Sequence, residues 1–146
     1  MLRIHLALLV AAVAGPASAQ IAPDKLQWGP APAMFPKGGT MAVLSGNPEK
    51  PGLSTVRMRM PAGFTIPAHW HPMTEYVTVL SGEVHFGMGD KLDKTKGTKL
   101  GAGGFFQADA KMTHFVWTDG PAEVQVSAEG PLQMTYVNPV DDPRNR

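Results

Sequence analysis

Apolar and polar residues alternate with a period of two along much of this chain. From Leu53 to Met60, Val56, Met58 and Met60 fall on one side while Thr55, Arg57 and Arg59 fall on the other, as in a half-buried strand. Glu75–Leu80, Glu83–Met88, Thr113–Thr118, Glu123–Ala128 and Leu132–Val137 read the same way. Ser81-Gly82, Asp119-Gly120 and Glu129-Gly130 mark turns between them. The one helix candidate, Asp90–Lys99, is nearly all polar and broken by Gly97. It reads as a solvated loop, with an anion-binding lid as the alternative. Many short strands punctuated by Gly and Pro predict an all-β sandwich or barrel.

The two ends read differently. Met1-Leu2-Arg3 is a basic start, Ile4 to Val13 is apolar except for His5, and Ala17-Ser18-Ala19 precedes Gln20. Together these describe a signal peptide over residues 1–19 and predict a periplasmic or secreted protein. The apolar run falls short of the roughly 20 residues a membrane span needs. Pro23, Pro30, Pro32 and Pro36 followed by Gly38-Gly39 exclude a persistent helix. Residues 20–52 are therefore expected to be an extended N-terminal arm and edge strand, 53–140 the barrel, and 141–146 a C-terminal tail.

A length of 146 residues suits one core. The chain has 13 basic and 12 acidic residues, and loss of Arg3 with the leader evens the balance. Such a surface has no long-range pull on nucleic acid or, once the leader is gone, on anionic membranes. The chain has no cysteine, which excludes thiolate ligands, cysteine nucleophiles and disulfides.

The chemistry gathers at His69, His71, Glu75 and His114. Residues two apart on a strand share a side, so His69 and His71 point together. Glu75 keeps that parity if the strand resumes after Pro72-Met73-Thr74, and His114 is expected from a later strand on the opposite wall. Three imidazoles and a carboxylate suit one divalent transition metal: Fe, Mn, Ni, Cu or Zn. On an octahedral ion four such ligands leave two positions open, and on a tetrahedral ion none.

The stretch Gly63 to Gly82, GFTIPAHWHPMTEYVTVLSG, resembles the first signature of the cupin superfamily, G-x5-HxH-x3-E-x6-G. A second signature is similar to Gly103–Thr118, with His114 as its histidine. The likeness extends over about residues 53–137 and includes small exported single-domain cupins with the same ending, Thr135 to Arg144. It implies a double-stranded β-helix, or jelly-roll barrel, with His69, His71, Glu75 and His114 as metal ligands. Two departures stand out. Asp109 and Lys111 occupy positions where the second signature carries Pro and Gly, and Thr118 stands where it often ends in Asn.

Other candidates read as structural. His85 alternates with Val84, Phe86 and Met88, the expected core positions of its strand, and so points outward. Arg57 and Arg59 are expected in solvent, or as an anion clamp if the register is inverted. Phe115 and Trp117 alternate with His114 and should not face the metal; they are expected in core packing or in a homodimer interface. Asp109 and Lys111 read as an exposed turn pair. Two functions fit. One is an enzyme acting on a small oxygen-rich molecule by dioxygenase-like oxidation or by isomerase or lyase chemistry, with Glu75 also available as a base. The other is a non-catalytic periplasmic binder of metal or small ligand. A structural zinc site is a third.

Overall fold

The computed structural model describes residues 20–146; the leader expected over 1–19 lies outside them. Eleven strands run in chain order: β1 Gly29–Pro30, β2 Thr40–Ser45, β3 Gly52–Met60, β4 Thr65–Trp70, β5 Glu75–Ser81, β6 Val84–Met88, β7 Thr98–Leu100, β8 Phe105–Ala108, β9 His114–Trp117, β10 Ala122–Gly130 and β11 Thr135–Tyr136. They form a six-stranded sheet, β1-β2-β3-β10-β5-β8, and a five-stranded sheet, β11-β4-β9-β6-β7. Every pairing is antiparallel. The helical turns among the described residues are three 3-10 segments, Pro23–Lys25, Pro139–Asp141 and Pro143–Asn145.

The alternation in the sequence becomes the core. In β3, Val56, Met58 and Met60 are buried, and Met58 and Met60 cluster with Val77, Val79 and Val124 of the same sheet and Ile66, Val84 and Val116 of the other. On the outer face Arg57 reaches Gln125 and Arg59 pairs with Glu123 at 2.9 Å, so both arginines are surface groups. Arg59 also lies 3.8 Å over the ring of Trp28, which ties the N-terminal arm to the sheet. The arm contributes more than a tether: β2 pairs with β3, and Ala31, Met34 and Phe35 pack against the core. The Gly82 turn between β5 and β6 needs its glycine. There φ is +71°, and a Cβ would sit 2.2 Å from the Pro121 carbonyl oxygen.

Several expectations change. The strand expected over Leu132–Val137 shrinks to Thr135–Tyr136. Pro131 has no N–H to donate, and the Leu132 N–H bonds instead to the Pro48 carbonyl. Strands β7 and β8 were not legible; β7 is short and polar, and adjacent Phe105 and Phe106 hide the alternation of β8. Met88, expected in the core, is 62 % exposed at the end of β6. Phe115 and Trp117 do point away from the cluster, but both are buried within the chain. Gly87 lies against the Phe115 ring and Gly97 against the Trp117 ring, where a Cβ would come within 2.2 and 2.1 Å. Gly97 thus covers part of the outer face while the rest of the 90–97 loop is largely exposed, as expected, and these two rings do not form a dimer surface.

Candidate metal centre

Each side chain of the cluster has a separate structural support. Strand β4 carries His69 and leads directly into His71. The β4–β9 ladder pairs Ile66 with Val116 and then His69 with His114, three steps on one strand against two on the other. This bulge re-aims β4. Without it, the alternation that points Ile66 inward would point His69 outward. His71 lies just beyond β4, where its carbonyl accepts the Lys111 N–H at 2.7 Å. His114 opens β9, next to β6.

The chain then crosses to the other sheet over residues 72–74, and Glu75 opens β5 between Ala128 of β10 and Ala108 of β8. Two alanines beside it leave room for a carboxylate. The two walls are therefore the reverse of those expected from the spacing. His114 stands beside His69 in one sheet, and Glu75 approaches from the facing sheet. A crossing of three residues cannot be read from strand parity, because it ends one ladder and starts another.

Ring nitrogens of His69, His71 and His114 lie within 4.8 Å of one another, and all three residues are buried. Glu75 stands at the edge of this group, its Oε2 3.3 Å from Nε2 of His71. The Nδ1 atoms face backbone carbonyls: His69 to Pro67 at 2.7 Å, His71 to Gln133 at 2.7 Å and His114 to Met112 at 3.0 Å. A carbonyl only accepts, so each Nδ1 must carry the proton. The neutral ring then keeps its lone pair on Nε2, the tautomer in which outer partners commonly orient metal-binding histidines. Nε2 of His71 is buried without a hydrogen-bond partner. An orphaned acceptor of this kind is costly, and a cation at this position would satisfy it.

The electrostatics agree. Burial holds His69 well below the ordinary histidine range, helped by His114 and His71. Burial likewise lowers His71 and His114. Three neutral rings are a donor set ready for a cation near neutral pH. Burial pushes the Glu75 carboxyl up to about 7, with His114 pulling it down.

The cluster closes one part of a cavity between the sheets. Its remaining lining is apolar, including Phe35, Met58, Phe106, Val126, Leu132 and Met134. Water-molecule centres can occupy about 50 Å³ of it, room for roughly four waters or a small organic molecule. Among the described residues, no lysine, arginine, amide or hydroxyl side chain lines it. His85 lies on the far face of its sheet, stacked on Trp117 at 4.5 Å and bonded to Asp119 at 2.9 Å. Asp109 and Lys111 form the exposed turn before His114. Lys111 adopts φ +65°, the left-handed conformation that its glycine counterpart would favour. The groups that sequence reasoning missed are the carbonyls of Pro67, Met112 and Gln133; a carbonyl has no identity in a sequence pattern.

Residues 56–128 match the Cupin domain family. Among solved structures, the polyketide cyclase RemF from Streptomyces resistomycificus is similar at 16 % identity and TM-score 0.71, over 85 % of this chain and 88 % of that one. An RmlC-like cupin from Shewanella frigidimarina is similar at 18 % identity and TM-score 0.59, over 77 % and 91 %. An oxalate oxidase in complex with the substrate analogue glycolate is similar at 29 % identity and TM-score 0.50. That likeness covers 59 % of this chain and 46 % of the oxidase, so this chain spans less than half of its length. No curated protein sequence matches significantly.

Proposed function

Because this chain belongs to the cupin family, we propose that it is a metal-dependent enzyme acting on a small oxygen-rich organic substrate. One observation carries the reading. Three Nδ1–H groups are committed to carbonyls, which aims three Nε2 lone pairs at one end of a small apolar cavity. His69, His71 and His114 would hold a divalent transition metal with Glu75 beside them. Such an ion supplies Lewis-acid polarisation of a bound oxygen and, if redox-active, electron transfer.

The protein's own part is positioning and exclusion. Phe35, Phe106, Leu132 and Met134 give the cavity an apolar lining, which strengthens any charge interaction inside. The absence of a cationic side chain in the lining leaves the metal end as the one anchor for an anionic group. Burial pushes the Glu75 carboxyl up to about 7 in metal-free protein; a bound cation would pull it back down and keep it an ionised ligand or base. Likeness to the glycolate-bound oxalate oxidase supports small hydroxy- and dicarboxylic acids as the first substrates to test. Dioxygenase-like oxidation ranks ahead of isomerase or lyase chemistry in this reading, and export through residues 1–19 belongs to it. The lack of any acid or base in the lining besides the cluster favours a second reading, a non-catalytic periplasmic binder of metal or small ligand.

The deciding experiment is elemental analysis of untagged protein from its own export compartment, followed by turnover assays with glycolate and oxalate. Iron, manganese, nickel or copper near one equivalent, with turnover, is the expected result. Metal without turnover across small organic acids favours the binder. No metal, and no thermal shift on adding any, overturns both.

A further inference from the structure

We propose that Arg144, oriented by Asp142, is a positioning residue for the histidine cluster, acting through the 133–136 segment. The inference rests on the metal-centre reading above and gives a role to the C-terminal residues Thr135–Arg144. Arg144 Nη2 donates to the Met134 carbonyl at 3.0 Å. Its guanidinium is held in turn by Asp142, with Nε to Oδ1 at 2.8 Å and Nη2 to Oδ2 at 2.6 Å. That bidentate fork fixes the plane as well as the position of the group. Asp142 also accepts the Arg144 backbone N–H at 3.0 Å, and its side chain is only 14 % exposed.

The segment so held touches two of the three histidines. Gln133, next to the braced Met134, accepts the Nδ1–H of His71 at 2.7 Å. Tyr136 pairs with His69 in the β11–β4 ladder, its ring 6.0 Å from the His69 ring, and its hydroxyl donates to the Met34 carbonyl at 2.8 Å. Leu132 and Met134 meanwhile line the cavity. Because β11 has only two residues, ladder bonds alone hold the segment weakly. The Leu132 N–H holds the segment to the Pro48 carbonyl on the N-terminal side of Gln133, and the guanidinium adds the anchor on its C-terminal side. Loosening it frees the Gln133 carbonyl to drift, and the His71 ring loses the partner that sets its tautomer.

The test compares Arg144→Ala, Arg144→Lys and Asp142→Asn with wild type, and with Lys99→Ala as a remote control that removes the exposed Lys99–Glu83 pair. Two readouts separate positioning from general stability. One is affinity for cobalt(II) alone with the visible ligand-field spectrum of the bound ion. The other is the His71 ring tautomer in metal-free protein, by long-range ¹H–¹⁵N NMR. Arg144→Ala is expected to bind cobalt about tenfold more weakly, with a shifted spectrum and a mixed His71 tautomer. Arg144→Lys recovers part of the loss, and Lys99→Ala changes neither readout. Folded Arg144→Ala with wild-type cobalt affinity and a single Nδ1–H tautomer overturns the proposal. If Arg144→Ala does not fold, Asp142→Asn is judged by the same two readouts. If wild type binds no cobalt, the metal-centre reading fails, and the tautomer measurement still decides the brace.

Discussion

His69 and His114 occupy directly opposed positions on neighbouring antiparallel strands, with ring centroids 4.2 Å apart. Each gives its Nδ1–H to the carbonyl two residues earlier in its own chain, Pro67 and Met112. The pair is thus built twice by one local device, and the β4 bulge brings the two copies face to face. His71 is held differently, by a carbonyl 62 residues away, so its geometry depends on the tertiary fold more than that of the other two.

His71→Ala is expected to lose most bound metal. Its melting temperature should no longer rise when metal is added, because binding stabilises only the folded form. Elemental analysis and thermal melts with and without a chelator measure both effects. Full metal content in this variant would remove His71 from the ligand set.

Glu75→Gln has an effect whose sign depends on pH. In metal-free protein burial pushes the carboxyl up to about 7 from an ordinary 4.5, so the folded chain binds more protons between the two. Its contribution favours folding below about 4.5 and is lost as pH rises through about 7. His69, His71 and His114 are lowered from 6.5, so theirs is present above that value and lost as pH falls. Metal-free Glu75→Gln should therefore exceed wild type in stability by roughly 3 kcal/mol at about pH 8. The difference should shrink on acidification and reverse at high pH once metal is supplied. Chemical denaturation across this range tests it; parallel curves for the two chains would contradict a buried, uncompensated Glu75.

His85→Ala should leave metal stoichiometry unchanged. Its ring stacks on Trp117 with planes 8° apart and bonds to Asp119, so the loss is one of stacking and a surface hydrogen bond, about 1–2 kcal/mol. A missing equivalent of metal would contradict the placement of His85 on the outer face of β6.

Lys111→Gly is expected to stabilise the fold by up to about 1 kcal/mol, since a side chain at φ +65° is strained where glycine is not. The turn presents its N–H to the His71 carbonyl, so metal affinity should be unchanged or slightly higher. A lower melting temperature would show that Lys111 makes compensating contacts.

Much was legible in the chain itself. Period-two alternation marked β3, β5, β6, β9 and β10 and their inward faces, because which side a residue takes on a strand is a local property of the pleat. The spacing of His69, His71 and Glu75, with a separate His114, named the four residues that the fold brings together. What the tertiary structure decided depends on contacts between distant segments. A bulge in one ladder and a three-residue crossing determine which sheet each group comes from. Gly87 and Gly97 bury Phe115 and Trp117, which decides for core packing where the sequence left core and dimer interface open. The tautomers of His69, His71 and His114 are each set by a backbone carbonyl, a group every residue has, and only the fold chooses which carbonyl meets which ring.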